Sequence, residues 1–238
     1  IPSAGHDAGI SMGAALYVQH HMKDTLRTPV FSAYTGSQFT NEEIRKILDE
    51  KGILYRQLDD EALYEEVTNC LTNGGVVGWM NGRAEFGPRA LGARSIIADP
   101  RRNDAKEILN LKIKRRESFR PFAPSILKEY VADYFELDEP VPFMEKVYPI
   151  KKEMQEKIPA VTHVDGSGRL QSVDKDISPR YHALIEAFSK KTGVPMLLNT
   201  SFNENEPIVN SPQEALACYL RTNMDMLVME NIVVSRQK

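Results

Sequence analysis

The stretch Gly193–Leu220, GVPMLLNTSFNENEPIVNSPQEALACYL, decides the class of fold. Val194–Leu198 is an apolar run of strand length behind a glycine, which reads as a buried strand. It runs straight into Asn199, Thr200, Ser201 and Asn203. Ser211, Pro212 and Glu214 then form a capping box with proline at the first helical position, opening a helix that continues through Leu220. A strand, a polar loop and a helix in succession is the repeating unit of α/β architecture. Ligands of open α/β sheets sit off the carboxyl ends of strands, so amides and hydroxyls in that place are set to bind a nucleotide. The same residue types favour turns for purely local reasons, and the pattern alone leaves both readings open.

Working outward, the punctuation stays regular from Thr40. Thr40 and Glu43 make a capping box for a helix ending near Gly52, and Ile53–Leu58 is strand-like. A second helix has Asp60 near its start and Leu63, Val67, Cys70 and Leu71 at helical spacing, and Gly74-Gly75 closes it before a buried strand, Val76–Met80. Ser178-Pro179 opens a helix with Tyr181, Leu184, Ile185 and Phe188 on one face and Gly193 beyond its end. Met226–Met229 and Ile232–Val234 are further strands. The expected class is α/β (α+β) with a mixed sheet flanked by helices.

Upstream, the small, glycine-rich opening passes into a helix-compatible run, Ile10–Val18, and residues 22–39 read as a connector ending in a short strand near Pro29–Tyr34. The 238 residues are 42% hydrophobic and 26% charged, as in ordinary globular chains. Cys70 and Cys218 fall on apolar helix stripes, which suits buried thiols rather than a secreted disulfide framework. No apolar run approaches the roughly 20 residues that cross a bilayer, and the amino terminus has no basic segment followed by an apolar one, so the expectation is a cytoplasmic protein with no membrane partner.

The net charge of −3 hides an uneven distribution, because residues 83–120 carry +6 and the remainder −9. A local concentration points to a held anion more than to a long polyanion, so nucleic acid is an unlikely partner. Within Gly74–Pro100, a buried strand precedes a loop holding Arg83, Arg89 and Arg94 among glycines 82, 87 and 92. Glycines let backbone N–H groups approach an anion and guanidinium forks grip phosphate oxygens, although a surface loop with scattered salt bridges would look the same. Leu111–Leu127, LKIKRRESFRPFAPSIL, packs Lys112, Lys114, Arg115, Arg116 and Arg120 ahead of a Pro-Phe-Ala-Pro turn and an apolar strand. Alternation would send Lys114 and Arg116 to one side and Arg115 to the other. The plainer reading of such a run is a solvated basic face.

Three motifs in order, GRAEFGPRALGARS, KRRESFRPFAPSIL and PMLLNTSFNENEPIVNSPQEA, resemble the carboxyl-terminal half of the NodU/CmcH O-carbamoyltransferases, over about residues 40–238. The resemblance implies a YrdC-like fold. It also implies a nucleotide site built from a Lys-x-Arg pair, here Lys114 and Arg116 followed by Pro121, and a Ser-x-Asn, here Ser201 and Asn203. Asn199 and Arg120 are added as nucleotide contacts, and Arg169 of DGSGRLQSV, with Arg83, Arg89 or Arg94, is implied on the acyl phosphate. The opening GHDAGISMGAAL resembles the last piece of the family's actin-like domain, in which an aspartate, here Asp7, helps hold a catalytic metal. That divides the chain into a remnant at 1–22, a connector at 23–39 and a YrdC-like domain at 40–238.

What the family implies is formation of carbamoyl adenylate from carbamoyl phosphate and ATP, with Mg2+, for transfer to an acceptor hydroxyl by the actin-like domain in cis. Fe2+ or a similar metal would belong only to the longer enzyme, Asp7 here being an incomplete site. Two alternatives are a YrdC-type enzyme making threonylcarbamoyl adenylate for tRNA modification and a non-catalytic RNA-binding module. A further expectation is that the chain folds yet needs the other domain for turnover.

Overall fold

In the computed structural model, residues 2–23, 32–117 and 119–236 are described. Helix α1 (Gly9–Lys23) covers the apolar run expected near the start, and leaves Ile10, Tyr17, Val18 and Met22 exposed. The first residues of the strand expected at Pro29–Tyr34 lie outside the described residues, and Tyr34 forms a single antiparallel bridge with Glu85.

Helix α2 (Asn41–Glu50) starts at the predicted capping box, with the Thr40 N–H donating to Glu43 Oε2 at 2.7 Å and the Glu43 N–H to Thr40 Oγ1 at 3.3 Å. Each bond satisfies a backbone donor that the first helical turn leaves orphaned. Of Ile53–Leu58 only β1 (Arg56–Gln57) is strand, paired with one neighbour at the sheet edge. Helix α3 (Asp60–Thr72) runs to the glycines as predicted and leads into β2 (Val77–Met80), all four residues of which are buried.

A turn and loop then reach β3 (Arg94–Ala98), which the sequence did not announce: Arg94 was expected on the loop and instead opens a fully buried strand. After α4 (Ala105–Ile108) the helix widens into a π-helical turn, Leu109–Lys114, before β4 (Ala123–Leu127). Short pieces follow: α5 (Val131–Tyr134), β5 (Tyr148–Pro149), α6 (Lys152–Gln155), β6 (Ser167–Gly168) and β7 (Gln171–Val173). Helix α7 (Pro179–Thr192) stops at Gly193, whose φ of 74° only glycine adopts freely. Strand β8 (Met196–Ser201), α8 (Pro212–Arg221), β9 (Met226–Met229) and β10 (Ile232–Ser235) complete the chain.

Eight strands form one mixed sheet in the order β1-β10-β9-β2-β3-β8-β4-β7, with β2–β9 and β4–β7 parallel and the other pairs antiparallel; β5 and β6 make a small separate ribbon. Buried on both faces, the central strands read as continuous apolar runs rather than alternating ones. Two helix pairs, α3 with α7 and α2 with α8, pack on the sheet. Trp79, Ile96, Leu198, Phe188 and Val228 lie in one continuous core. Strand β8 sits between β3 and β4, so its polar end is held on both sides by backbone ladders. That rigidity positions the site.

Candidate functional site

Strand β8 leaves the core at Leu198 and turns polar at Asn199, whose Cα stands opposite Ile97 of β3 and Ala123 of β4. Residues from four remote stretches meet there around a cavity of about 100 Å3: Arg89 and Ala90, Arg116 with Phe122, Arg169, and Asn199 to Ser201. Three arginines that sequence reasoning proposed separately therefore share one cleft. Among the described residues none of the three is held by a carboxylate, whereas neighbouring cations are: Arg101 with Asp99, Arg102 with Asp104, Arg115 with Glu204 and Arg120 with Glu117. Asp99, Asp104 and Glu117 already enter the +6, so of these partners only Glu204 reduces that excess, and the cleft arginines stand without a carboxylate among the described residues.

Lys114 ends the π-helical turn and does not line this cavity, but it is bonded to Ser201, which does. It is 2% exposed, and its Nζ donates to the Ser201 carbonyl at 2.5 Å, Ser201 Oγ at 3.1 Å, and the carbonyl and Oδ1 of Asn203, each at 2.8 Å. Burial, with the Arg116 guanidinium adding to it, lowers Lys114 to about 7. Arg115 adopts a left-handed φ of 43° and turns outward to Glu204, 3.0 Å away. The expected division of Lys114 and Arg116 from Arg115 is observed, produced by a reversal of backbone hand rather than by strand alternation.

Arg116 is braced rather than loose. Its Nε donates to Asn110 Oδ1 at 2.8 Å, its N–H to the Asn110 carbonyl at 3.1 Å, and its guanidinium carbon lies 4.8 Å from the Phe122 ring centre. Stacking and a fixed Nε leave the outer N–H groups directed by geometry rather than by chance. Arg169 is half-buried and its Nε has no partner. Burial, then Arg89 and then Arg116, hold it down at about 10. Like charges gathered without counter-charge raise the free energy of the empty site and favour an anion that fills it.

The remaining proposed residues lie elsewhere. Arg94 is 1% exposed, and its guanidinium donates to the carbonyls of Ser37 at 3.0 Å and of Gly82 and Ala93 at 3.1 Å, so it fastens backbone and does not line the cleft. Arg83 donates to the Thr35 carbonyl at 2.8 Å and lines a different cavity of about 230 Å3, beside Asn81 and Arg180. Arg120 is exposed on its Glu117 pair. Asn203 faces Lys114 and the Glu206 carbonyl instead of the cavity. Asp7 is exposed in the turn before α1, and among the described residues no three His, Cys, Asp or Glu side chains converge. The residues present do not amount to a metal centre. His163 and His182 lie within hydrogen-bonding distance of Ser167 Oγ and Glu129 Oε1, respectively.

Several supporting residues escaped sequence reasoning. Glu85 Oε1 accepts from the N–H groups of Leu91 at 2.6 Å, Ala93 at 2.7 Å and Arg94 at 3.3 Å, which shapes the loop that carries Arg89. Burial raises its carboxyl above the ordinary range. Ser125 and Gln171 form the polar floor under Asn199. Glu85 and Gln171 lie within the conspicuous GRAEFG and GRLQSV segments, and only the contrast of a polar residue among apolar ones could have drawn attention to them.

The carbamoyltransferase C-terminus family matches residues 68–236, a span that takes in the whole cleft. The chain belongs to this family. It is 45% identical to an uncharacterised protein of Synechocystis over 99% of this chain and 43% of the other, and 41% identical to nodulation protein NolO of Bradyrhizobium diazoefficiens over 100% and 44%. A 3'-hydroxymethylcephem-O-carbamoyltransferase of Amycolatopsis lactamdurans is 34% identical over 94% of this chain and 41% of its own length. This carbamoyltransferase-family chain thus spans less than half the length of these relatives. Full-length HypF, solved in a phosphate- and nucleotide-bound form, superposes on 72% of it and 25% of HypF with a TM-score of 0.52 at 17% identity. That likeness is one of fold, and the YrdC-like mixed sheet expected from the sequence is the architecture observed. No described helix is long and apolar enough to cross a membrane.

Proposed function

We propose that this chain is the carbamoyl-activating domain of an O-carbamoyltransferase, which uses carbamoyl phosphate and ATP to make carbamoyl adenylate for a preceding actin-like domain. The observation that carries the reading is the gathering of Arg89, Arg116 and Arg169, free of carboxylates, around one cavity in a carbamoyltransferase-family chain. A cavity of about 100 Å3 is well below the roughly 300 Å3 at which drug-sized ligands begin to fit, so it suits an acyl phosphate or the phosphate end of a nucleotide, with the nucleoside over the rim.

Water cleaves the bond between the carbamoyl oxygen and phosphorus, giving phosphate and carbamate. A carbamate oxygen then attacks the α-phosphorus of ATP, the new P–O bond forms as the α–β bridge breaks, and pyrophosphate leaves with the electron pair. Neither step needs a protein nucleophile, and positioning plus charge neutralisation supply most of the acceleration. Arg169 and Arg89 hold the acyl phosphate, and Arg116 with Lys114 the triphosphate. Lys114 also pins Ser201 and Asn203 in place. Magnesium would accompany ATP as a bridge between phosphates, which carries charge that three arginines do not cover.

The division of the chain into a remnant at 1–22, a connector at 23–39 and the domain from 40 onward belongs to this proposal. The exposure of Ile10, Tyr17, Val18 and Met22 on α1 supports it, since it leaves several large apolar side chains of one helix on the surface. Exchange of labelled pyrophosphate into ATP tests the reading. Exchange driven by carbamoyl phosphate supports it, and exchange driven instead by threonine and bicarbonate, or none with either when the chain is joined to its actin-like domain, overturns it.

A further inference from the structure

Asn199 is 1% exposed, lines the arginine cavity, and its Oδ1 has no hydrogen-bond partner. A buried amide oxygen left bare is costly, so such an atom in a residue that lines a cavity points to a ligand that satisfies it. The orientation of the amide is not arbitrary. Its Nδ2 donates to the Ala90 carbonyl at 3.1 Å and to Ser125 Oγ at 2.9 Å. Ser125 Oγ in turn donates to Gln171 Oε1 at 2.7 Å, and Gln171 Nε2 to the Leu91 carbonyl at 2.8 Å. The Asn199 amide hydrogens and the Ser125 hydroxyl are spent on acceptors already present, and a flipped amide would set the Asn199 oxygen against the Ala90 carbonyl. The bare oxygen is therefore held facing the cavity.

The other groups around it are of the opposite kind. Arginine has donors and no acceptor, and Arg169, whose buried Nε is also without a partner, lines the same cavity. An unpaired acceptor and an unpaired donor at one wall match a planar group that offers an N–H next to a C=O. We propose that Asn199 is the specificity residue for the carbamoyl amide: its Oδ1 accepts a hydrogen bond from the carbamoyl NH2 while the arginines take the carbonyl and phosphate oxygens. This rests on the activity proposed above, and it replaces the nucleotide contact expected for Asn199 from sequence.

Acetyl phosphate is the discriminating probe, because it keeps the acyl phosphate and replaces NH2 with a methyl group. Buried acceptors reject analogues that lack the matching donor, so calorimetry on the 238-residue chain should show carbamoyl phosphate bound about ten- to a hundredfold more tightly than acetyl phosphate. In Asn199→Leu that ratio should fall to near one, with inorganic phosphate still bound through the arginines. Equal affinity of the unmodified chain for the two acyl phosphates overturns the assignment without any variant, which also covers the case in which Asn199→Leu does not fold. A preference that survives in a folded Asn199→Leu overturns it as well. If the unmodified chain binds neither acyl phosphates nor inorganic phosphate, the activity itself is wrong and this residue's role goes with it.

Discussion

Lys114 Nζ stands 2.8 Å from both the carbonyl and the side-chain oxygen of Asn203, which ties the end of a π-helical turn to the loop after β8. Two segments 89 residues apart are locked together by a cation that water does not reach. The bond explains why Lys-x-Arg and Ser-x-Asn act as one unit although Asn203 itself does not line the cavity.

Lys114 should make both stability and nucleotide binding depend on pH, in opposite senses. Its folded value of about 7 lies below the roughly 10.4 of an unfolded lysine, so the unfolded chain binds more protons in between. The penalty is present in full below about pH 7 and is relieved as pH rises toward about 10, so this group makes the empty protein more stable with rising pH. A bound triphosphate favours the ammonium, and ATP affinity should fall between about pH 6 and 8. Calorimetry in buffers of different ionisation enthalpy should show proton uptake on binding, and Lys114→Met should remove both the uptake and the slope.

Arg116→Ala should weaken ATP binding about ten- to a hundredfold, the usual range for a lost charge-assisted hydrogen bond. Arg120→Ala, which breaks only an exposed pair with Glu117, should change it less than about twofold. Equal losses in the two variants, measured by calorimetry, would put the triphosphate on the surface and not in the cleft.

Arg94→Met should separate stability from binding. Removing the guanidinium strands the carbonyls of Ser37, Gly82 and Ala93, and about 2–4 kcal/mol of unfolding free energy should be lost in a urea titration. Phosphate affinity at the cleft, which Arg94 does not line, should be retained. A selective loss of affinity with stability intact would return Arg94 to the binding residues.

Gly92 has a φ of 99°, and a Cβ there would lie 2.1 Å from the Tyr181 ring. Gly92→Ala must therefore displace a buried tyrosine as well as strain the backbone, and should lower the melting temperature by roughly 5–15 °C. A variant that melts with the parent would show that the 90–93 turn is not packed as described.

Elements marked by local chemistry were legible in the sequence. The boxes at Thr40 and Ser211, the proline start and glycine stop of α7, and the apolar runs of β2, β8 and β9 all follow from short-range rules and all occur. Strand β3 was not legible, because its first residue is an arginine whose charge is satisfied only by carbonyls brought from residues 37 and 82 by the fold. For the same reason four loop or turn arginines, Arg83, Arg89, Arg116 and Arg120, looked alike in one dimension. Arg89 and Arg116 face the cleft, while Arg83 and Arg120 are placed outside it by tertiary structure. The bare oxygen of Asn199 could not be read from sequence at all, since it is defined by what its neighbours already use.

The π-helical turn at Leu109–Lys114, closed by left-handed Arg115, has a consequence for how this segment can vary. Each extra or missing residue in a helix rotates everything after it by about 100°, so a single-residue deletion here would swing the Lys114 ammonium away from the Ser201 and Asn203 oxygens that hold it. The stretch should therefore accept many changes of side chain and hardly any change of length.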